Sequence, residues 1–481
     1  MLTRQRVVLL VTLMMGGAAA CRPSDVLSVP PPSGVTVAGT LANQTGAEAA
    51  FANAKFQLFG AVVGGFNGVL TWSEFLTDEF TFSGFLTQES PAYVANVDAR
   101  FTVPAAGFEE GGDPSWQALL NARSLLLLSL PALGQFEPAS GQSKVGEAYA
   151  LVAYAELYLA EDYCDGTPLD QILPAGGVYY GMPLTADSIL GIAVGHFDSA
   201  LAHAAGDAAV EGLASVGMGR VLLDRGQYAA AGAAVTSVPA GFVYNTELAP
   251  SFDAGSGVET PNVYTQASTY VQNSRWFNVP DVEGENGLNF RSAHDPRLTF
   301  DSSLTTMDGG PWYLPTKFEV NLALLPLATG TEAALIQAEA ALEANDVGAW
   351  SEALNALRTG APGSYLALAA PIDTLLSDST TGASAADRVS VLFRERAFWL
   401  FGMGSRLGDL RRLIRQYGRD QSTVFPTGPY ANGSQPSLPA PIPNYGTDVN
   451  LTLPTLAGLA PTASIITNPN YKGCLASTKT A

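Results

Sequence analysis

The sequence has few of the residues on which metal, thiol and polyanion chemistry depend. Its 481 residues include three cysteines and three histidines, and neither a C-x-x-C nor an H-E-x-x-H spacing occurs. The common zinc and thiol-redox signatures are therefore absent, and we expect no metal and no cofactor. Only 24 basic residues, five of them lysines, oppose 44 acidic ones, giving a formal net charge of −20. Because phosphate binding needs clustered Lys and Arg, nucleic acid is not an expected partner.

The markers of common enzyme chemistries are missing as well. Neither a G-x-S-x-G nucleophile motif nor a G-x-x-x-x-G-K-[ST] phosphate loop occurs. His196 and His203 lie on one predicted helix, but about 10 Å apart along its axis, so they cannot readily share a metal ion. We therefore predict that the protein is not an enzyme. A surface glycoside hydrolase with a hidden pair of acids is the least favoured function.

One acidic loop leaves calcium binding open. Asp281, Glu283 and Glu285 alternate beside Gly284 and Asn286, and carboxylate and amide oxygens are the ligands that Ca²⁺ prefers. The twelve-residue EF-hand pattern is missing. A solvated acidic loop is therefore the favoured interpretation.

The N-terminus has the features of an export signal. Two arginines precede the apolar run Val7–Met15, and small residues follow up to Cys21. This pattern predicts a signal peptide over residues 1–20. No later segment offers about 18 uninterrupted apolar residues, since Ser129 and Pro131 interrupt the Leu-rich stretch near Leu125. We expect no membrane-spanning helix.

Cys21 resembles the modified cysteine of a bacterial lipobox, with Ala18 where Leu is usual. The alternative is an ordinary signal peptide with a chance cysteine. The tract that follows, to residue 41, is rich in Pro, Ser, Thr, Gly and Val, and is typical of an extended tether. We therefore expect attachment to the membrane through an N-terminal lipid. Outside the cytoplasm Cys164 and Cys474 could pair, provided that their Cα atoms lie within about 7 Å.

The rest of the chain predicts a mainly α fold made of helical pairs and long loops. Apolar periodicity predicts helices over 44–59, 115–133 and 144–160. Two helix-turn-helix segments, 213–235 and 333–357, each carry an aromatic residue early in the second helix, Tyr228 and Trp350. This arrangement resembles tetratricopeptide packing. Because these two aromatics are 122 positions apart, the pairs are not a tandem array. Long insertions interrupt them instead.

The segment from Glu395 to Arg412 resembles the late signature of the SusD/RagB family of outer-membrane nutrient-binding lipoproteins. The matching positions are Glu395, Arg396, Leu400, Gly404, Arg406, Asp409, Leu410, Arg411 and Arg412. The sequence departs from that signature at Trp399, Met403, Ser405 and Leu407-Gly408. Shorter pieces agree in order along the chain, among them 72–78, 147–169 and Glu339-Ala340. On a helix Arg406 and Asp409, three positions apart, can pair, and such a pair is expected to support packing rather than bind a ligand.

The resemblance implies a fold, a location and a function. It implies one SusD-like α-helical domain over 42–481. Within it, the polar, aromatic-rich stretch near 239–327 predicts an insertion subdomain, and the proline-rich stretch near 423–481 predicts a loop-rich C-terminal part. It also implies a lipid-anchored protein of the outer membrane, at the cell surface. There it would bind a glycan or other oligomeric nutrient and deliver it to a SusC-like TonB-dependent transporter. The main alternative is a helical-repeat scaffold that binds a protein or peptide.

Exposed aromatics are the candidate ligand-binding residues. A sugar presents apolar C–H faces and hydroxyl edges, so its site needs flat aromatic rings beside amides or carboxylates. Aromatic residues near such groups occur in three places: Trp276, Phe277 and Asn278; Trp312 and Tyr313; and Phe82, Phe85 and Tyr93. The alternative for each group is that its rings only pack the fold.

Overall fold

The computed structural model describes residues 42–64, 68–83, 92–102, 114–174, 176–247, 277–303, 305–306, 309–317, 324–360, 384–432, 441–454 and 468–475. The described chain is dominated by α-helix, with short antiparallel strand pairs. The mainly α prediction is confirmed. The signal peptide, Cys21, the tether and the residues Phe85 and Trp276 lie outside the described residues.

The helices, numbered along the chain, are α1 Gln44–Val63, α2 Val69–Leu76, α3 Ala92–Asp98, α4 Pro114–Phe136, α5 Ser143–Asp162, α6 Ala186–Ala202, α7 Ala208–Asp224, α8 Tyr228–Ala234, α9 Gly330–Glu343, α10 Val347–Arg358, α11 Ala385–Trp399 and α12 Arg406–Arg415. The strands are β1 Thr81–Phe82, β2 Thr167–Pro168, β3 Gln171–Ile172, β4 Val178–Tyr179, β5 Pro183–Leu184, β6 Val243–Glu247, β7 Phe277–Asn278, β8 Phe300–Asp301, β9 Leu314–Pro315 and β10 Leu324–Thr329. They pair as β1–β7, β2–β5, β3–β4, β6–β10 and β8–β9.

Polar side chains fix the starts of several helices. Asp207 accepts a hydrogen bond from the backbone N–H of Ala209 at the start of α7. Thr329 does the same for Glu332 at the start of α9. Ser384 and Asp387 form a reciprocal capping box at α11. These caps satisfy N–H groups that have no partner within the helix.

Helices α4 and α5 form the centre of the core. Residues 145–162 of α5 are almost all buried, and α4 packs between α1 and α5. By length and composition alone, the stretch Ser115–Phe136 is apolar enough to cross a membrane. Buried side chains such as Trp116, Leu119 and Leu126 instead pack it into the core. Its apolar character is therefore explained by burial within the fold.

The paired helices pack in the order in which they occur. Helix α6 packs on α7, α7 on α8, α8 on α9 and α9 on α10. Ala231 of α8 and Trp350 of α10 are fully buried. A Cβ atom at Gly217 would lie 2.3 Å from the ring of Phe197, so glycine permits the close approach of α7 to α6. The tetratricopeptide-like packing is confirmed. We call helices α1, α2 and α4–α12 the helical frame.

The long insertion leaves the frame and returns to it through one strand pair. Strand β6 pairs antiparallel with β10, with Leu324 opposite Glu247 and Thr329 opposite Val243. Helix α9 follows directly after β10. The two ends of the insertion therefore meet beside the helical pairs. Its assignment as a separate subdomain stays a prediction.

A disulfide joins the end of the described chain to its middle. Cys164, just after α5, is bonded to Cys474 across a sequence separation of 310, with their Cα atoms 5.7 Å apart. The backbone N–H of Leu475 donates to the carbonyl of Asp165 beside it. The disulfide that the sequence left open is formed in the structure.

The late motif is two helices rather than one. Helix α11 ends at Trp399, and Gly402 and Gly404 have φ angles of +70° and +69° in the turn before α12. These left-handed conformations favour glycine. The predicted pairing of Arg406 with Asp409 is therefore wrong, because Arg406 begins the second helix and pairs instead with Asp78, at 2.7 and 2.8 Å.

Asp409 pairs with two other arginines of the motif. It accepts hydrogen bonds from Arg396 at 2.8 Å and from Arg412 at 2.7 Å. Arg412 also donates to Glu339 of α9. All of these groups are buried. The expectation that the charged motif residues support packing is confirmed, with different partners.

Candidate functional site

One strand pair joins two of the sequence segments that carry candidate aromatics. In the β1–β7 pair, Phe82 lies opposite Phe277 and Thr81 opposite Asn278. Because the strands are antiparallel, the end of β1 and the start of β7 lie at the same end of the pair. Phe85 follows β1 three positions after Phe82, and Trp276 directly precedes β7. The segments predicted separately from the sequence are thus attached at one place.

The side chain of Asn278 attaches the third candidate segment to the same strand pair. Its carbonyl oxygen accepts a hydrogen bond from the backbone N–H of Tyr313 at 2.8 Å. Its amide donates to the carbonyl of Pro311 at 2.9 Å. Residues 311–313 therefore lie alongside β7. We call the surface formed by β1, β7, residues 311–313 and Arg291 the ladder face.

Helix α3 and the loop-rich C-terminal part fix strand β1 through hydrogen bonds. The Asp98 carboxylate accepts hydrogen bonds from the N–H of Phe82 at 2.7 Å and from the hydroxyl of Tyr430 at 2.6 Å. Burial raises the pKa of Asp98 to about 7, against the lowering effect of these hydrogen bonds. The Asn432 amide donates to the Thr81 hydroxyl at 3.2 Å. Buried polar contacts thus fix the position of this short strand.

Two of the predicted ligand-binding rings are buried and cannot stack on a sugar. Phe82 is 0% exposed and Trp312 is 1% exposed, and both belong to the main hydrophobic core. For these two residues the alternative, that the rings pack the fold, is correct. Asn278 is also a positioning residue, because its amide group is used by the backbone contacts described above.

Tyr313 remains the predicted aromatic that the structure leaves partly exposed. The guanidinium of Arg291 lies 4.0 Å from its ring centre, and the edge of Phe300 packs against it at a centroid distance of 6.2 Å. This stacking holds the ring in a defined orientation. Nothing in the sequence around Arg291 distinguishes it from other arginines, so sequence reasoning missed it. For Phe277 and Tyr93 the structure describes the backbone alone, in β7 and α3.

The acidic loop, which the sequence offered as a possible calcium site, makes hydrogen bonds to the rest of the protein. Glu283 is buried and accepts a hydrogen bond from the hydroxyl of Tyr445. Burial, and next the nearby Asp98, raise the pKa of Glu283 well above its usual range. Asp281 accepts from the N–H of Ser292 at 2.6 Å. The interpretation as a solvated acidic loop is therefore wrong for Glu283, whereas Glu285 is exposed. Among the residues that the structure describes, no group of three or more His, Cys, Asp or Glu could hold a metal ion.

The two helical histidines both pack against one tyrosine. The ring of Tyr149 stacks against His196 at 6.1 Å and lies 5.6 Å from His203. His196 also contacts the carboxylate of Glu156 at 2.8 Å. These contacts account for both rings as parts of the α5–α6 packing.

Comparison with known proteins places this architecture among solved folds. No family model matches the sequence, and no curated protein matches it. A SusD superfamily protein from Bacteroides thetaiotaomicron VPI-5482 superposes with a TM-score of 0.59 at 15% identity, covering 90% of this chain and 99% of that one. One from Bacteroides vulgatus ATCC 8482 gives a TM-score of 0.54 at 15% identity, covering 77% and 88%.

A SusD-like carbohydrate binding protein from Bacteroides vulgatus ATCC 8482 gives a TM-score of 0.51 at 16% identity, covering 76% of this chain and 83% of that one. The sequence identities are low, so these likenesses bear on architecture. The same family was indicated independently by the residues of the late motif. This chain therefore has the SusD-like fold, as the SusD/RagB resemblance of its sequence predicted.

Proposed function

We propose that the protein binds a glycan or other oligomeric nutrient at the ladder face. The observation that carries this proposal is the attachment of three aromatic-bearing segments to the single β1–β7 strand pair. A partly exposed, stacked Tyr313 ring lies beside this pair. Flat rings held on a rigid frame suit the apolar faces of sugars. A structural neighbour is described as a carbohydrate binding protein, which supports the same class of ligand.

We further propose that binding serves transport rather than catalysis. In this proposal Cys21 carries the lipid, residues 22–41 form the tether, and the protein stands at the outer membrane on the cell surface. It delivers its ligand to a SusC-like TonB-dependent transporter. Attachment near the pore raises the local concentration of captured ligand, so modest affinity is sufficient. No chemical step on the ligand is part of the proposal.

The binding site is tested with residues 22–481 and a panel of plant, algal, bacterial and host polysaccharides. We expect affinity gel electrophoresis to detect at least one ligand. Trp276→Ala and Tyr313→Ala should each weaken its binding about tenfold, because each removes a stacking ring. Ile192→Ala, an exposed position on α6, is the control and should bind as wild type does.

Other outcomes would support the alternatives. Binding of a peptide library with no binding of any polysaccharide would favour the scaffold function. Release of shortened oligosaccharides from the bound polysaccharide would favour the hydrolase and contradict our proposal. Unchanged polysaccharide binding in both aromatic variants would remove the ladder face as the site.

The membrane part of the proposal has a separate test. In the full-length protein expressed in a bacterium with lipoprotein processing, Cys21→Ser should move the protein from the membrane fraction to the aqueous fraction. A stable lipid anchor needs the acyl chains that this cysteine would carry. Unchanged membrane partitioning of the variant would refute the anchor.

A further inference from the structure

The charge of Arg291 at the ladder face is not neutralised by a neighbouring group. Within the described ranges of the chain, its guanidinium makes neither a hydrogen bond nor an ion pair. Its contact is with the Tyr313 ring, whose centre lies 4.0 Å from the guanidinium carbon. The side chain is partly exposed. Stacking therefore holds this cation in place and leaves its hydrogen-bonding groups open to a ligand.

Arg297, six positions later and also between β7 and β8, shows the opposite arrangement. It too lies over an aromatic ring, that of Phe398, at 5.2 Å. However, Arg297 is only 3% exposed and pairs with Asp295 at 2.6 Å and with Glu395 at 2.7 Å. The charge of Arg297 is thus used within the fold, whereas the charge of Arg291 is not.

One edge of the Arg291 guanidinium is open. The Nε atom is buried and has no hydrogen-bond partner in the part of the chain that the structure describes. The two terminal nitrogens, Nη1 and Nη2, also lack partners there, but they are not buried in this way. Two parallel N–H groups match the two oxygens of a carboxylate. The open edge is therefore suited to bind one carboxylate through two hydrogen bonds.

The surroundings of Arg291 suit one isolated carboxylate rather than a polyanion. Asp281 is an acidic neighbour whose charge interacts with that of Arg291. Its carboxylate accepts a hydrogen bond from the N–H of Ser292 at 2.6 Å, so Asp281 weakens the local positive potential without covering the guanidinium edge. The formal net charge of −20 also repels a polymer that is charged at every unit.

We infer that the ladder face recognises a glycan in which a uronic acid occurs among neutral sugars, and that Arg291 binds the carboxylate of this uronic acid. Tyr313 positions the guanidinium. Its own hydroxyl has no hydrogen-bond partner among the described residues and is available to a neighbouring sugar hydroxyl. The inference rests on the proposed function for the location of the site and adds the class of sugar.

The test compares glycans that differ only in this carboxylate. Residues 22–481 are titrated by calorimetry with oligosaccharides of gellan, glucuronoxylan and hyaluronan. Each is used in its native form and after chemical reduction of the uronic acid to the neutral sugar. We expect at least one native glycan to bind. Its reduced form should bind about tenfold more weakly, because the charge-assisted hydrogen bonds to Arg291 are lost.

Substitutions at Arg291 complete a double-mutant cycle between protein and ligand. Arg291→Gln should weaken binding of the native glycan about tenfold and leave binding of the reduced form unchanged. Arg291→Lys keeps the charge but not the paired N–H groups, so it should lose less, about threefold. Arg415→Gln, the same substitution at an exposed position of α12, should bind both forms as wild type does. Melting temperatures close to wild type would show that the variants are folded.

The outcomes separate this inference from the proposed function. If reduction leaves the affinity unchanged, or if Arg291→Gln weakens both forms equally, Arg291 does not bind a carboxylate. Binding of neutral polysaccharides alone, lost in Trp276→Ala and Tyr313→Ala, would overturn the inference while the proposed function stands. Binding of a sulfated carrageenan through Arg291, with no uronate glycan bound, would assign a sulfate instead and refute the uronic acid. If no polysaccharide of any kind binds, the proposed function itself fails.

Discussion

The helical frame and the ladder face use their polar side chains in opposite ways. In the frame, charged groups of the late motif are buried and neutralise each other, as Asp409 does between Arg396 and Arg412. At the ladder face, Asn278 uses its amide to hold backbone segments, and Tyr313 stays partly exposed under Arg291. The frame therefore carries the recognisable sequence signature. The ladder face carries the partly exposed ring on which the proposed binding depends.

The contrast explains why the resemblance identified a fold but no ligand. Several short segments of the chain each resemble the family only weakly. In the helical frame these segments contact each other. Asp78 pairs with Arg406 across 328 positions, and Glu339 pairs with Arg412 across 73. These pairs constrain how helices meet. They do not constrain the loops attached to the frame.

The largest expected effect comes from breaking the buried ion pairs of the frame. Arg412→Ala leaves Glu339 and Asp409 without one of their charged partners in a buried position. We expect the free energy of unfolding to fall by about 3–5 kcal/mol. Urea denaturation of residues 22–481 measures this loss.

The matched control for that variant lies on the same helix. Arg415 is exposed on α12, and Arg415→Ala should change the free energy of unfolding by less than about 0.5 kcal/mol. Equal losses in the two variants would contradict the distinction between buried and exposed charge on this helix.

A smaller change in stability should appear with pH, through Asp98, which lies between the helical frame and the ladder face. Burial raises the pKa of Asp98 from 3.8 to about 7. Between these values the native protein binds more protons at Asp98 than the unfolded chain does, so its contribution to stability falls as the pH rises. The loss is at most about 4 kcal/mol and is complete above the folded pKa. Asp98→Asn should remove this dependence.

The measurement compares urea denaturation of wild type and Asp98→Asn at pH 5 and pH 8. We expect the wild type to lose more stability than the variant between these pH values. Asp198→Asn, at an exposed position of α6, is the control and should follow the wild-type profile. Parallel profiles for wild type and Asp98→Asn would rule out Asp98 as a titrating group in this range.

The smallest effect on stability should come from the ladder face itself. Asn278→Ala removes the hydrogen bonds to Pro311 and Tyr313, which should lower the free energy of unfolding by about 1–2 kcal/mol. Because Tyr313 then loses its attachment to β7, polysaccharide affinity should fall about as much as in Tyr313→Ala. Asn278→Asp keeps the acceptor for the Tyr313 N–H and should lose less of both. A variant with full affinity would show that Asn278 does not position the site.

Much of the frame could be predicted from the sequence. Apolar periodicity located α1, α4 and α5, and the structure extends each of them by a few residues. The helix-turn-helix pattern located the pairs α7–α8 and α9–α10 in the same way. The partner of Arg406 could not be predicted. The turn at Gly402 and Gly404 places Arg406 at the start of a new helix, where it meets Asp78. Its partner, Asp78, is distant in sequence.

Less of the candidate site could be predicted. Residue type alone cannot separate an exposed tryptophan from a buried one, and Trp312 and Phe82 proved to be core residues. The β1–β7 pairing could not be predicted from the sequence, because it joins segments almost 200 positions apart.

The disulfide between Cys164 and Cys474 closes residues 164–474 into a covalent ring. A protease that cuts the backbone once, anywhere between these two cysteines, opens the ring without releasing a fragment. A chain cut in this way would keep its mass under non-reducing electrophoresis and separate into pieces only after a reductant is added. A single cut between these cysteines would therefore leave the two parts of the chain joined.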